Sequence, residues 1–224
     1  MLKELQRIFQ RKGLMEQALD ESIEMLKEDW EMFRESIKSL RESETAEIGI
    51  DIEEKDLKIN KFERDVRKKV LTHLAVNDVA DLNAGLVLIS IVIDIERIGD
   101  FTKNIVELAQ NHPGKLYVEA WEEQIKKAEQ TVSDNFGILI KAFEESDPEI
   151  AKQLLDDLWQ TKKDCDACIW TLMKDKKQKI DVADAVAIAL YMRYLKRISS
   201  HLMNAASSMI NPFHRIGYCE KVRK

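Results

Sequence analysis

The chain has 224 residues, 45% of them hydrophobic, and its 41 acidic and 35 basic residues leave a net charge of −6. That supplies apolar material for one elongated or two compact domains, and the interspersed charges form no basic stripe, which argues against nucleic acid as a partner. Seven Gly and three Pro, with few runs of alternating polarity, argue against sheets, which need turns at short intervals; the expected class is all-α.

Residues 1–12 carry Lys3, Glu4, Arg7, Arg11 and Lys12 with no apolar h-region, so no signal peptide is expected and the reading is a cytoplasmic protein. Their Leu2, Leu5, Ile8 and Phe9 suit a capping helix or a dimer contact, with a membrane-surface contact as the other reading. Met25, Trp30, Met32 and Phe33 read as core. The next segment places Ile48, Ile52, Ile59, Phe62, Val66 and Val70 on one helical face with charged residues opposite.

In residues 82–100, Leu82, Leu86, Ile89 and Ile93 recur at spacings of four, three and four, and the rhythm continues onto Glu96 and Asp100. Both carboxylates are therefore expected along the apolar seam, where they need pairing, protonation or a metal. The longest apolar stretch, residues 85–93, falls well short of the roughly 20 residues of a spanning helix.

Asn111-His112-Pro113-Gly114 is the strongest break, and Ser146-Asp147-Pro148-Glu149 reads as a helix end followed by a new helix with Pro at its first position. Weaker breaks at 43–47, 76–78 and 176–181 complete a division into six long helical segments. Three lie on each side of Pro113-Gly114, with Ala128, Val132, Phe136, Leu139 and Phe143 striping the fourth. No segment can bury its stripe alone, so the expectation is two tandem antiparallel three-helix bundles, residues 1–112 and 113–224.

An offset of one hundred residues supports a duplication: Asp81 matches Asp181, Arg97-Ile98 matches Arg197-Ile198, and Asn104 matches Asn204. The halves differ where Glu96 faces Lys196, Asp100 faces Ser200 and Asp65 faces Cys165. A Lys and a Ser cannot hold a hard cation, so an acidic pair is expected in the first half alone. Arg193, Lys196, Arg197 and His201 could neutralise carboxylates of the first half or attract an anion, but a solvated face is the leading reading. Cys165 and Cys168 form a C-x-x-C string without a βαβ context or four zinc ligands, and read as small packing residues; a thiolate supplementing a metal site is the other reading. Three cysteines in all fit a reducing compartment. Residues 207–217 read as a helix stop with a docked extension.

Glu96-Arg97-Ile98-Gly99-Asp100, followed by Asn104-Ile105-Val106-Glu107 and preceded by Ala80-Asp81-Leu82, resembles the signature of the PhoU family of phosphate-signalling proteins. The resemblance runs from about Ile48 to the C-terminus. It implies two three-helix bundles, each typically with an E/D-x-x-x-D motif able to hold iron or zinc. Carboxylates four residues apart share a helix face and can present oxygens to one cation, with Asp65, Glu63 and Asp81 as candidates to complete the set. The plain alternative pairs Glu96 with Arg97 or Lys103 and Asp100 with Lys103 or Asn104.

The function so implied is non-enzymatic regulation of phosphate uptake by a homodimer. It would dock on a phosphate transporter subunit, either an ATPase or a sodium-linked carrier, and on a sensor histidine kinase, touching the membrane through those partners only. A metal-free helical scaffold and a carboxylate-metal hydrolase or oxidoreductase are the other readings. The chain has no Glu-x-x-His pair, phosphate loop or nucleophile elbow, so no catalytic residue is assigned.

Overall fold

The structure, a computed structural model, describes residues 13–76, 79–174 and 179–218. The segment 1–12 and Cys219 lie outside them, so the readings of the N-terminal segment stay as expectations. Among the described residues there are six long helices and no strand: α1 (Leu14–Arg41), α2 (Ile52–Val76), α3 (Leu82–Asn111), α4 (Glu122–Glu145), α5 (Pro148–Lys174) and α6 (Val182–Ser207). The protein is all-α. Helices α1, α2 and α3 pack on one another, α4, α5 and α6 do the same, and α1 against α4 and α3 against α6 join the two groups.

Within the described residues the breaks act as expected; residues 77–78 and 176–178 of the weaker breaks lie outside them. The Asp147 carboxylate accepts from the Glu149 and Ile150 amides at 2.8 and 3.4 Å, capping α5 directly before Pro148. Asp181 caps α6 by accepting from Ala183 N at 2.8 Å, while its counterpart Asp81 precedes α3 without a side-chain cap. The tail docks: Ser207 Oγ accepts from Gly217 N at 2.7 Å, and Asn211 Nδ2 donates to the Arg215 and Tyr218 carbonyls. Gly217 has a φ of +82° and lies so close to Asn204 that a Cβ would stand 2.8 Å from its Oδ1, so glycine is required twice over.

The predicted stripe of α4 is seated in the core, as is that of α2 from Ile52 onward, with Ile52 and Phe62 partly buried; Ile48, expected on the same face, lies before the helix starts. Ala128, Val132, Phe136, Leu139 and Phe143 are all buried, as are Ile59, Val66 and Val70. Helix α3 is rotated from its expected phase. Its buried line runs through Gly85, Leu88, Ile91, Val92, Ile95, Ile98, Gly99 and Thr102, while Leu82 and Ile93 are exposed. The reason is central placement: α3 packs on α1, α2 and α6 at once, so its apolar residues spread over most of its circumference and two overlapping rhythms fit the same sequence. The buried line is the one containing glycines, because it takes the closest approach; a Cβ at Gly85 would lie 2.8 Å from Leu74 Cδ1.

At the α1–α4 junction, Phe33 and Phe136 meet with ring centroids 5.5 Å apart, and Trp30 Nε1 donates to Ser133 Oγ at 3.1 Å. Arg41, nearly buried at the end of α1, donates to both Glu122 oxygens at 2.8 Å, to Glu129 at 3.1 Å and to the Leu116 carbonyl. Tyr191 of α6 donates to the same Glu129 oxygen at 2.7 Å. This network fixes how the ends of the two helix groups meet.

A candidate acidic site around the third helix

With α3 in its observed phase, Glu96 and Asp100 leave the apolar seam for its flank, Glu96 partly buried and Asp100 more open. Arg97 lies over both, donating to Asp100 Oδ2 at 3.1 Å with its Nε 3.6 Å from Glu96 Oε2. Lys103 reaches instead to Asp56 of α2 at 3.1 Å, and Asn60 Nδ2 donates to the same carboxylate. The expected pairing of Glu96 with Arg97 is thus present; Asp100, expected on Lys103 or Asn104, is bonded by Arg97, and Lys103 goes to Asp56. Burial, then the charge of Asp100 and those of Glu63 and Asp56, hold the Glu96 carboxyl above its ordinary range against the pull of Arg97.

The seam does contain a carboxylate, and it comes from α1. Asp29 is completely buried, neither of its oxygens has a hydrogen-bond partner, and it lies against Gly99 within the Glu96–Asp100 string. Burial first, then the charges of Glu96, Asp56, Glu28 and Asp100, push its carboxyl well above the usual range. The sequence signal was available: Met25, Asp29, Met32 and Ser36 share one helical rhythm, so identifying the methionines as core placed Asp29 among them.

The other predicted members separate into three places. Glu63 contributes to the field on Glu96 while pairing with Arg67 at 2.8 Å. Asp65 shares its register with Lys58 and Lys69, which bind α1 carboxylates, and so lies on the α1 flank of α2. Asp81 is bonded to His73 at 2.7 Å and lies fifteen residues before Glu96, about 22 Å along the helix axis. The fold therefore brings together Glu96, Asp100 and Glu63, adds Asp29 and Asp56, and keeps Asp81 apart from them.

Among the described residues no three His, Cys, Asp or Glu side chains converge as a ready ligand set. The groups whose charge raises the Glu96 carboxyl are nevertheless all carboxylates, and Asp29, buried nearby, is unsatisfied. That chemistry suits a hard, oxygen-seeking cation better than a soft one.

In the second group Lys196, opposite Glu96, donates to both Asp166 oxygens at 2.6 Å. The expected solvated face is corrected for His201 and Arg197. His201 is buried and donates through Nδ1 to Asp94 Oδ1 at 2.7 Å, Asn204 donates to the same oxygen at 2.8 Å, and Arg197 lies over the Phe101 ring. The antiparallel crossing of α3 and α6 turns this stretch toward the other group; only Arg193 is exposed as expected. Cys165 and Cys168 are buried, and burial pushes each thiol up to about 12, in keeping with packing residues. No helix among the described residues is long and apolar enough to cross a membrane.

Taken together, the described residues form six long helices in two joined three-helix groups, with an acidic cluster around the third helix. Residues 22–109, which contain the whole cluster, match the PhoU domain. The fold over 88% of the chain is that of PhoU from Pseudomonas aeruginosa, with a TM-score of 0.74, 21% identity and 95% of that chain covered. The phosphate transport system regulatory protein PhoU from Streptococcus pneumoniae is also similar, with a TM-score of 0.66, 18% identity, and 88% of this chain and 91% of that one covered. Comparison with curated proteins gave no match. The first helix group is thus PhoU-like in sequence, and nearly the whole chain is PhoU-like in fold.

Proposed function

We propose that the chain is a non-enzymatic regulator of phosphate transport of the PhoU type, composed of two PhoU-like units, residues 1–112 and 113–224. The observation that carries this reading is the PhoU-domain match over residues 22–109, whose motif residues Glu96 and Asp100 lie within one acidic cluster. In this reading the protein acts in the cytoplasm as a homodimer by occupying a phosphate transporter subunit, an ATPase or a sodium-linked carrier, and a sensor histidine kinase. Expression in a bacterium deleted for its own PhoU tests it. Restored repression of phosphate-starvation genes in phosphate-rich medium is expected, and unchanged derepression with the protein present at normal level rejects the reading.

Within it, Glu96 and Asp100, aided by Asp56 and Asp29, would hold a divalent cation, iron before zinc because the donors are oxygens. When bound, such a cation supplies positive charge that offsets the mutual repulsion of these carboxylates. Elemental analysis of wild type beside Glu96→Ala/Asp100→Ala tests this. Metal retained by wild type and lost in the variant is expected; no metal in either after deliberate loading leaves a metal-free scaffold.

A further inference from the structure

The acidic cluster accounts for one flank of the molecule; the outer flank of the second helix group has a different chemistry. On α5, Trp159 and Trp170 are eleven residues apart, three turns, and so share a face about 17 Å long. They are 43% and 52% exposed, and Met173, one turn further at 69%, extends the line. Lys162 and Lys163 place their amines over the Trp159 ring at 5.4 and 5.2 Å from its centroid. Lys174 closes the stripe. On α6, Val186 and Leu190 are exposed and Arg193 follows them on the same side.

The charge on this flank is opposite to that of the whole chain. Lys162, Lys163, Lys174, Arg193 and Lys196 stand against Asp166, which Lys196 holds, and Asp156 at the edge. Five cations against two carboxylates give +3 in a chain of net −6. The flank is also a strip and not a pocket. A cavity of about 760 Å³ lies on the other side of α5, against α4, between Trp121 and Cys168. A straight strip of indoles and thioether flanked by lysine amines matches a planar anionic boundary. Indoles settle at the headgroup level, and lysine stems lie along apolar surface while their amines reach phosphates.

We propose that the α5–α6 flank is a docking surface for anionic lipid, so that the protein meets the membrane directly as well as through protein partners. Sedimentation of the full chain with vesicles of phosphatidylcholine alone, or mixed with phosphatidylglycerol, tests it. Binding is expected to the mixed vesicles only and to weaken as salt is raised. Trp159→Ala/Trp170→Ala should lower partitioning about tenfold, since it removes the buried apolar area that interfacial binding scales with. Lys162→Glu/Lys163→Glu should abolish the preference for the anionic lipid, whereas Leu57→Ala, on the exposed flank of α2, should bind as wild type. Circular dichroism establishes that each variant keeps its helices; all these positions are at the surface. Brominated acyl chains should quench the fluorescence of wild type more than that of Trp159→Phe/Trp170→Phe. Absence of vesicle binding overturns the proposal, as does binding that these variants leave unchanged. Trp-dependent capture of an acidic amphipathic peptide without vesicle binding also overturns it and reassigns the flank to a protein partner.

Discussion

Gly99 stands where any side chain would meet the buried carboxylate of Asp29: a Cβ there would lie 2.9 Å from Asp29 Oδ1 and 3.4 Å from Ile59 Cδ1. The glycine inside the motif is therefore a close-approach residue between α3 and α1. Alanine would gain about 1 kcal/mol of helix propensity, but overpacking a filled site costs about 1–3 kcal/mol. Gly99→Ala is expected to lower stability by about 1 kcal/mol in denaturant unfolding. The same change in an Asp29→Ala background should be neutral or stabilising, because the obstacle is gone.

Asp29 itself should give the metal-free protein a pH-dependent stability. Its carboxyl is held well above the usual range by burial and then by the surrounding carboxylates, so between the unfolded value near about 3.9 and the folded one the native state holds the extra proton. Stability therefore falls as pH rises through that window, and the effect vanishes in acid below it. Asp29→Asn should lack this slope and exceed wild type near neutral pH by about 1–3 kcal/mol, the scale of a buried unsatisfied group. Urea unfolding across pH decides between a slope that disappears in the variant and one that persists.

Asp94 and His201 tie the two helix groups together across α3 and α6, with Asn204 as the third member. Asp94→Ala leaves His201, whose Nε2 already lacks a partner, without its remaining bond. Each single variant should lose about 1–3 kcal/mol, and the double variant should lose less than the sum by about 1 kcal/mol. Additive losses in a thermodynamic cycle would mean that the contact carries no coupling.

The two buried thiols should be chemically silent in the folded protein. With burial pushing both up to about 12, the thiolate fraction at pH 8 is on the order of one in ten thousand. In a Cys219→Ser background, a thiol reagent should label neither Cys165 nor Cys168 until denaturant is added, after which both should react. Rapid labelling of the native chain would contradict the packing role.

The six-helix division was legible because helix ends are local. Pro148 behind Asp147, the Pro113-Gly114 break and Asp181 before α6 act through their own backbone neighbours, so one dimension of information suffices. The stripe of α4 was legible for a similar reason, since that helix has a distinct polar side and its rhythm admits one phase.

What the sequence by itself determined about this protein is therefore its helices, their grouping and the string Glu96 to Asp100 with its PhoU-like character. Tertiary structure decided which way that string faces and what accompanies it. The phase of α3 depended on three neighbouring helices that seat its glycine line inward, sending Leu82 and Ile93 outward. Partner identity depended on which helices lie alongside, so Asp29 and Asp56 joined Glu96 while Asp81 bonded to His73 instead. His201 changed from an expected surface cation to a buried tie on Asp94 for the same reason. Chain spacing fixes neighbours along one helix, but a site assembled from three helices depends on packing that local spacing does not encode.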